Sequence, residues 1–166
     1  MSDPDAQQDG RGSPRPAPNL AIEQRKKILT LLVIAALLAI TSPASAETVN
    51  FQVALDAAAQ VPPNDGKGSG TAAVAYDTAT KLLSWKITLA GLTGDATAAH
   101  FHGPAGPGKN AQPVVPIVGK LASPIQGTAT LTDTEAHDLL AGLWYINIHT
   151  AANPGGEIRG QVLKPK

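Results

Sequence analysis

The chain has no cysteine. That one absence excludes disulfides, thiolate metal sites, iron–sulfur clusters, a cysteine nucleophile and a lipid-bearing cysteine. Any metal held here must take histidine or oxygen ligands. Charge is scarce as well: charged residues are 16% of the 166 residues, and 13 Lys+Arg balance 13 Asp+Glu. Neither a basic footprint for a phosphate backbone nor an acidic solvating tail is present, so no nucleic-acid partner is expected. Aromatic residues are only 4%, while Gly 16 and Pro 14 are high, a balance that suits short strands and tight turns and argues against helical bundles and coiled coils. The length allows one domain of ordinary size.

What is present begins with a leader. Residues 1–24 are polar, rich in Pro, Gly, Asp and Gln and without apolar periodicity, and read as a disordered extension. Arg25, Lys26 and Lys27 then precede the apolar run Ile28 to Ile40, broken only by Thr30, and Ala44-Ser45-Ala46 supplies a small-x-small cleavage pattern. The run is short of the roughly 20 apolar residues that a spanning helix needs. Residues 25–46 therefore read as a signal peptide cleaved after Ala46, giving a secreted or periplasmic product with no membrane attachment after cleavage. With neither a twin arginine nor a cysteine beside it, the segment points to general secretion of a soluble domain over residues 47–166. Met1 is the only methionine, so no internal methionine offers a shorter start.

In that domain Val49, Phe51, Val53 and Leu55 alternate with Thr48, Asn50, Gln52 and Ala54, as do Leu83, Trp85, Ile87 and Leu89 with Ser84, Lys86, Thr88 and Ala90. Further strands are expected at about 71–76, 96–102, 114–118, 126–131, 143–149 and 157–163, separated by Gly/Pro/Asn clusters. Thr132 followed by Glu135 is a capping-box pattern that opens one short helix, Asp133 to Ala141, closed by Gly142. About eight strands with frequent turns predict an all-β fold, a Greek-key antiparallel sandwich or flattened barrel.

The candidate site comes from strand periodicity. His100 and His102 leave the same face of an extended segment with Cα atoms about 6.6 Å apart, while Phe101 points into the core. In the penultimate strand Trp144, Ile146 and Ile148 form the apolar face, which turns Tyr145, Asn147 and His149 outward. All three imidazoles thus belong to outer-face positions beside Gly/Pro-rich turns, the placement of a surface metal site, with His100, His102 and His149 as ligands. His137, on the short helix, reads as a surface histidine and stays outside the set. Glu157 and Arg159 share a strand face and are expected to form a cross-strand ion pair. Ser69, Ser84 and Ser123 have no nucleophile-elbow context, and no phosphate-cradling glycine loop opens a helix.

At these residues the sequence resembles a known family. AAHFHGPAGPG (98–108) and GLWYINIHTAANPGGEIRGQV (142–162) look like the two signature segments of the chordin-type, or CHRD, domain, and the likeness extends to AAAQVPPNDGKGSGTA (57–72). ITLAGLTGDATAAHFHGP (87–104) is similar to the stretch of copper/zinc superoxide dismutases that leads into their H-x-H copper pair. There another copper histidine ends a late strand before a glycine-rich turn, the place that His149 takes before Asn153 to Gly156. The resemblance implies a superoxide-dismutase-like sandwich with His100, His102 and His149 as copper ligands. The enzymes' bridging histidine, zinc ligands and disulfide have no counterpart here, and Glu157 stands where their catalytic arginine follows that turn. Neutral imidazoles suit copper ahead of zinc. Three functions follow in order: a non-enzymatic copper-binding module for storage, delivery or sensing; an extracellular interaction or adhesion module that binds a protein partner without metal; and a dismutase-like redox activity.

Overall fold

The computed structural model describes residues 46–165. The polar extension over 1–24 and, Ala46 aside, the signal segment over 25–46 lie outside the described residues. Eight strands follow one another: β1 (Thr48–Asp56), β2 (Ser69–Asp77), β3 (Leu82–Ala90), β4 (Ala96–His102), β5 (Pro113–Pro116), β6 (Ile125–Thr130), β7 (Trp144–Thr150) and β8 (Ile158–Val162). One helix, α1 (Asp133–Leu140), joins β6 to β7. The strands form one antiparallel sheet in the order β5-β4-β7-β8-β1-β2-β3-β6, curled into a nearly closed barrel. Links from β3 to β4, from β5 to β6 and from β6 to β7 cross between the two halves of this order, which gives the expected Greek-key character.

The alternation read from the sequence sets which face is inside. Phe51, Val53 and Leu55 of β1 are buried and the residues between them are exposed. Across the ladder small residues face large ones, so Ala72 of β2 is paired with Val53 on one side and Ile87 on the other. The six aromatic residues, few as they are, are all inside: Phe51, Tyr76, Trp85, Phe101, Trp144 and Tyr145 are each buried. Phe101 of β4 joins the two halves, meeting Trp85 edge-on at 5.2 Å between ring centroids and Trp144 at 5.9 Å. Such contacts add about 0.5–1.5 kcal/mol each beyond the area they bury.

α1 closes one side of the core with Ala136 and Leu139. Thr132 Oγ1 accepts the Glu135 N–H at 3.3 Å and Glu135 Oε2 accepts the Thr132 N–H at 2.8 Å, so the capping box forms as its spacing predicts. Gly142 follows the helix at a φ of +75°, a left-handed conformation that residues with a Cβ avoid. Replacing Thr132 with alanine is expected to cost about 0.5–2 kcal/mol, read as a lower urea midpoint with an unchanged slope. Among the described residues no helix is long and apolar enough to cross a membrane.

Candidate metal centre

β4 and β7 are neighbours, and their register brings the histidines together. His100 pairs with Asn147 and Ala98 with His149, so His149 lies diagonally beside His100 on the same face. His102, two residues on, pairs with Tyr145. Ring centroids are 5.5 Å apart for His100 and His102, 5.3 Å for His100 and His149, and 6.2 Å for His102 and His149. One ring nitrogen from each lies within 4.8 Å of the others. His137 is far out on the helix surface, its side chain 79% exposed.

Hydrogen bonds fix which nitrogens are available. His102 Nδ1–H donates to the Ala111 carbonyl at 3.0 Å, and His149 Nδ1–H donates to the Pro154 carbonyl at 2.9 Å. Both Nε2 atoms therefore carry lone pairs. His100 turns its Nδ1 toward His149 Nε2 at 3.4 Å, close to the separation of about 3.4 Å that two nitrogens take at 2.0–2.1 Å from one tetrahedral ion. His102 Nε2 is fully buried and has no hydrogen-bond partner. Leaving such an acceptor unmet costs about 1–3 kcal/mol, and a cation beside it would remove that cost. Carbonyl partners on Nδ1 are the usual outer support of a metal-bound imidazole, fixing its tautomer and aiming the ring. The donor set, three nitrogens with no carboxylate or thiolate, fits copper(II) or zinc.

Electrostatics favour the neutral form of His100 and His102. Burial lowers the His102 pKa below the ordinary histidine value, its bond to Ala111 acting the other way, with His100, His149 and Arg159 lowering it further. Burial likewise lowers that of His100, helped by His149. Neutral imidazoles can bind a metal and protonated ones cannot.

The outer face departs from expectation in being roofed over. His102 is only 7% exposed, although His100 and His149 keep partial access to solvent. Residues 103–112 fold back across β7 and β8. Tyr145 exchanges hydrogen bonds with the backbone of Ala111, at 3.1 and 3.2 Å, and its ring stacks on His102 at 4.8 Å with 7° between planes. From β8, on the other side of β7, the Arg159 guanidinium lies 3.4 Å from the Tyr145 ring centroid. The turn after β1 reaches the same face, where Gln60 Nε2 donates to Asn147 Oδ1 at 2.7 Å. Gly156, at a φ of +123°, passes so close that a Cβ there would strike the Asn147 amide. An outer polar layer thus backs the histidines. Tyr145 could be found from the sequence by its shared facing with His149, whereas the Ala111 and Pro154 carbonyls leave no sequence signal.

The expected pairing of Glu157 with Arg159 does not form. Glu157 is completely buried and accepts hydrogen bonds from the Thr93 N–H at 2.7 Å and from the Thr93 and Thr150 hydroxyls at 2.6 Å each. Burial, the largest influence on it, raises its pKa. The bonds from Thr150, Thr93 and Asn153 together outweigh that and hold it below the ordinary glutamate value. A lowered carboxylate pKa stabilises the fold above the unfolded value of about 4.3 and loses that contribution as pH falls from there toward the folded value. Urea midpoints measured down this range should fall with a smaller slope in Glu157→Gln than in the parent.

The family model described as the CHRD domain matches residues 51–162, the greater part of the chain and nearly all of the folded part. No curated protein and no solved structure matches it.

Proposed function

The chain belongs to the CHRD domain family, and on that premise we propose that it is an exported, non-enzymatic module that holds one copper ion through His100 Nδ1, His102 Nε2 and His149 Nε2. The observation that carries this reading is the buried His102 Nε2, left without a partner while its Nδ1 is committed to Ala111. Copper binds tightest in the divalent series, which puts it ahead of zinc for the same three imidazoles. When bound, it would supply a redox-active, Lewis-acidic centre held by these three imidazoles. The partial exposure of those two histidines suits loading and release, hence storage, delivery or sensing.

An interaction module without metal would have no need for three imidazoles to converge, and their convergence favours the metal reading over it. Dismutase-like chemistry ranks last. The buried guanidinium of Arg159 is tied to the Lys109 carbonyl at 2.7 Å and Asn110 Oδ1 at 2.9 Å, and Tyr145 separates it from His102. It is not presented at the open side of the cluster.

Copper titration of the purified protein tests the proposal. Expected is one ion per chain at neutral pH, lost in the triple alanine variant of the three histidines. Because burial lowers the pKa of His100 and His102, protons should compete with the metal for these two ligands only below the ordinary histidine value of about 6.5. Stoichiometry well below one, unchanged by the triple substitution, would refute the site.

A further inference from the structure

On the far side of Tyr145 from the histidines, a cavity of about 450 Å³ lies between the turn after β1 and the segment after β4. Ala58, Val61, Pro63 and Pro107 give it apolar walls, and Arg159 and Gln161 of β8 line it too. Two features of those polar side chains are unspent. Arg159 is 2% exposed, yet its hydrogen bonds go to a carbonyl and an amide oxygen. Among the described residues no carboxylate pairs with it, and Glu157, two residues away, is engaged by Thr93, Thr150 and Asn153. A buried cation without a counter-ion is costly, and burial does lower the Arg159 pKa, with Tyr145 acting the other way. Gln161 Nε2 donates to the Ala105 and Gly142 carbonyls at 2.9 Å each, which fixes the amide orientation and leaves Oε1 buried with no partner.

We propose that this cavity binds a small organic carboxylate that carries a hydrogen-bond donor next to its carboxyl group, as in a 2-hydroxy acid. The carboxylate would neutralise Arg159, the neighbouring hydroxyl would donate to Gln161 Oε1 once that side chain shifts to uncover it, and a short alkyl body would lie against Val61, Pro63 and Pro107. Each ligand group answers one unmet feature of the wall. The site is separate from the histidine cluster and stands or falls without a metal.

The test uses the purified protein stripped of metal, titrated with 2-hydroxybutyrate and followed by amide NMR shifts. Expected is saturable binding centred on the amides of Val61, Gly108 and Arg159. The neutral amide analogue, 2-hydroxybutyramide, should bind at least about tenfold more weakly, since a hydrogen bond to a charged group contributes roughly 1.5–3 kcal/mol. Butyrate, which lacks the hydroxyl, should also be weaker. Ala58→Phe, at the exposed rim, should fill the cavity and weaken binding by a similar factor while leaving the melting temperature and copper stoichiometry unchanged. Equal binding of acid and amide would overturn the proposal. So would shifts centred on His100 and His149, saturation unaffected by Ala58→Phe, or no saturable binding.

Discussion

His102→Ala is expected to abolish one-to-one copper binding, with an affinity loss exceeding 100-fold, while His137→Ala leaves it unchanged. Losing an outer hydrogen-bond partner of a metal-bound imidazole already costs about 10–100-fold, and His102→Ala removes both the ligand and the ring that Ala111 and Tyr145 hold in place. His102 is the most fixed of the three, being buried and stacked, whereas His100 and His149 are partly exposed. Competition with a chelator of known copper affinity measures the change. A melting curve shows that the variant remains folded. Affinity within a few-fold of the parent would mean that His102 is not a ligand.

Trp144→Ala is expected to bring the largest loss of stability, about 3–5 kcal/mol, against a total of about 5–15 kcal/mol for a domain. Trp144 is wholly buried at the start of β7, packs on Phe101, and fills the space over Gly103 so tightly that a Cβ there would meet its ring at 2.5 Å. Because β7 carries His149 and Phe101 lies between the two histidines of β4, the loss should also loosen the histidine cluster. Urea unfolding gives the first effect and copper competition the second. A cost below about 1 kcal/mol would show that the core relaxes around the cavity, against the close packing expected of a protein interior.

Much of this arrangement was legible in the order of residues because its causes are local. Alternation in Thr48 to Asp56 and Leu82 to Ala90 sets two strands and their buried faces. Thr132 and Glu135 mark the helix start. Period two alone puts His100 and His102 on the face opposite Phe101, and counting from Trp144 turns His149 outward. Whether those faces met depended on β4 lying beside β7, a pairing between segments about fifty residues apart that no local pattern dictates. The roof was harder still. Residues 103–112 have the composition of an exposed turn, yet Ala111 binds Tyr145 and His102, and Lys109 and Asn110 hold Arg159. Outward-facing polar residues therefore became a second buried layer. Glu157 and Arg159 were expected to pair because they share a face, but Thr93 and Thr150 surround the carboxylate while Tyr145 and the 109–110 backbone take up the guanidinium.

The tautomers of the histidines test the central claim most directly. Long-range nitrogen–proton NMR correlations of the imidazoles, recorded on the protein with and without zinc as a diamagnetic stand-in for copper, report each ring nitrogen separately. Metal-bound shifts are expected at His100 Nδ1, His102 Nε2 and His149 Nε2, with protons retained on Nδ1 of His102 and His149 and on Nε2 of His100, and no change at His137. Saturating zinc that leaves these three nitrogens unmoved, or that acts at His137 instead, would contradict it.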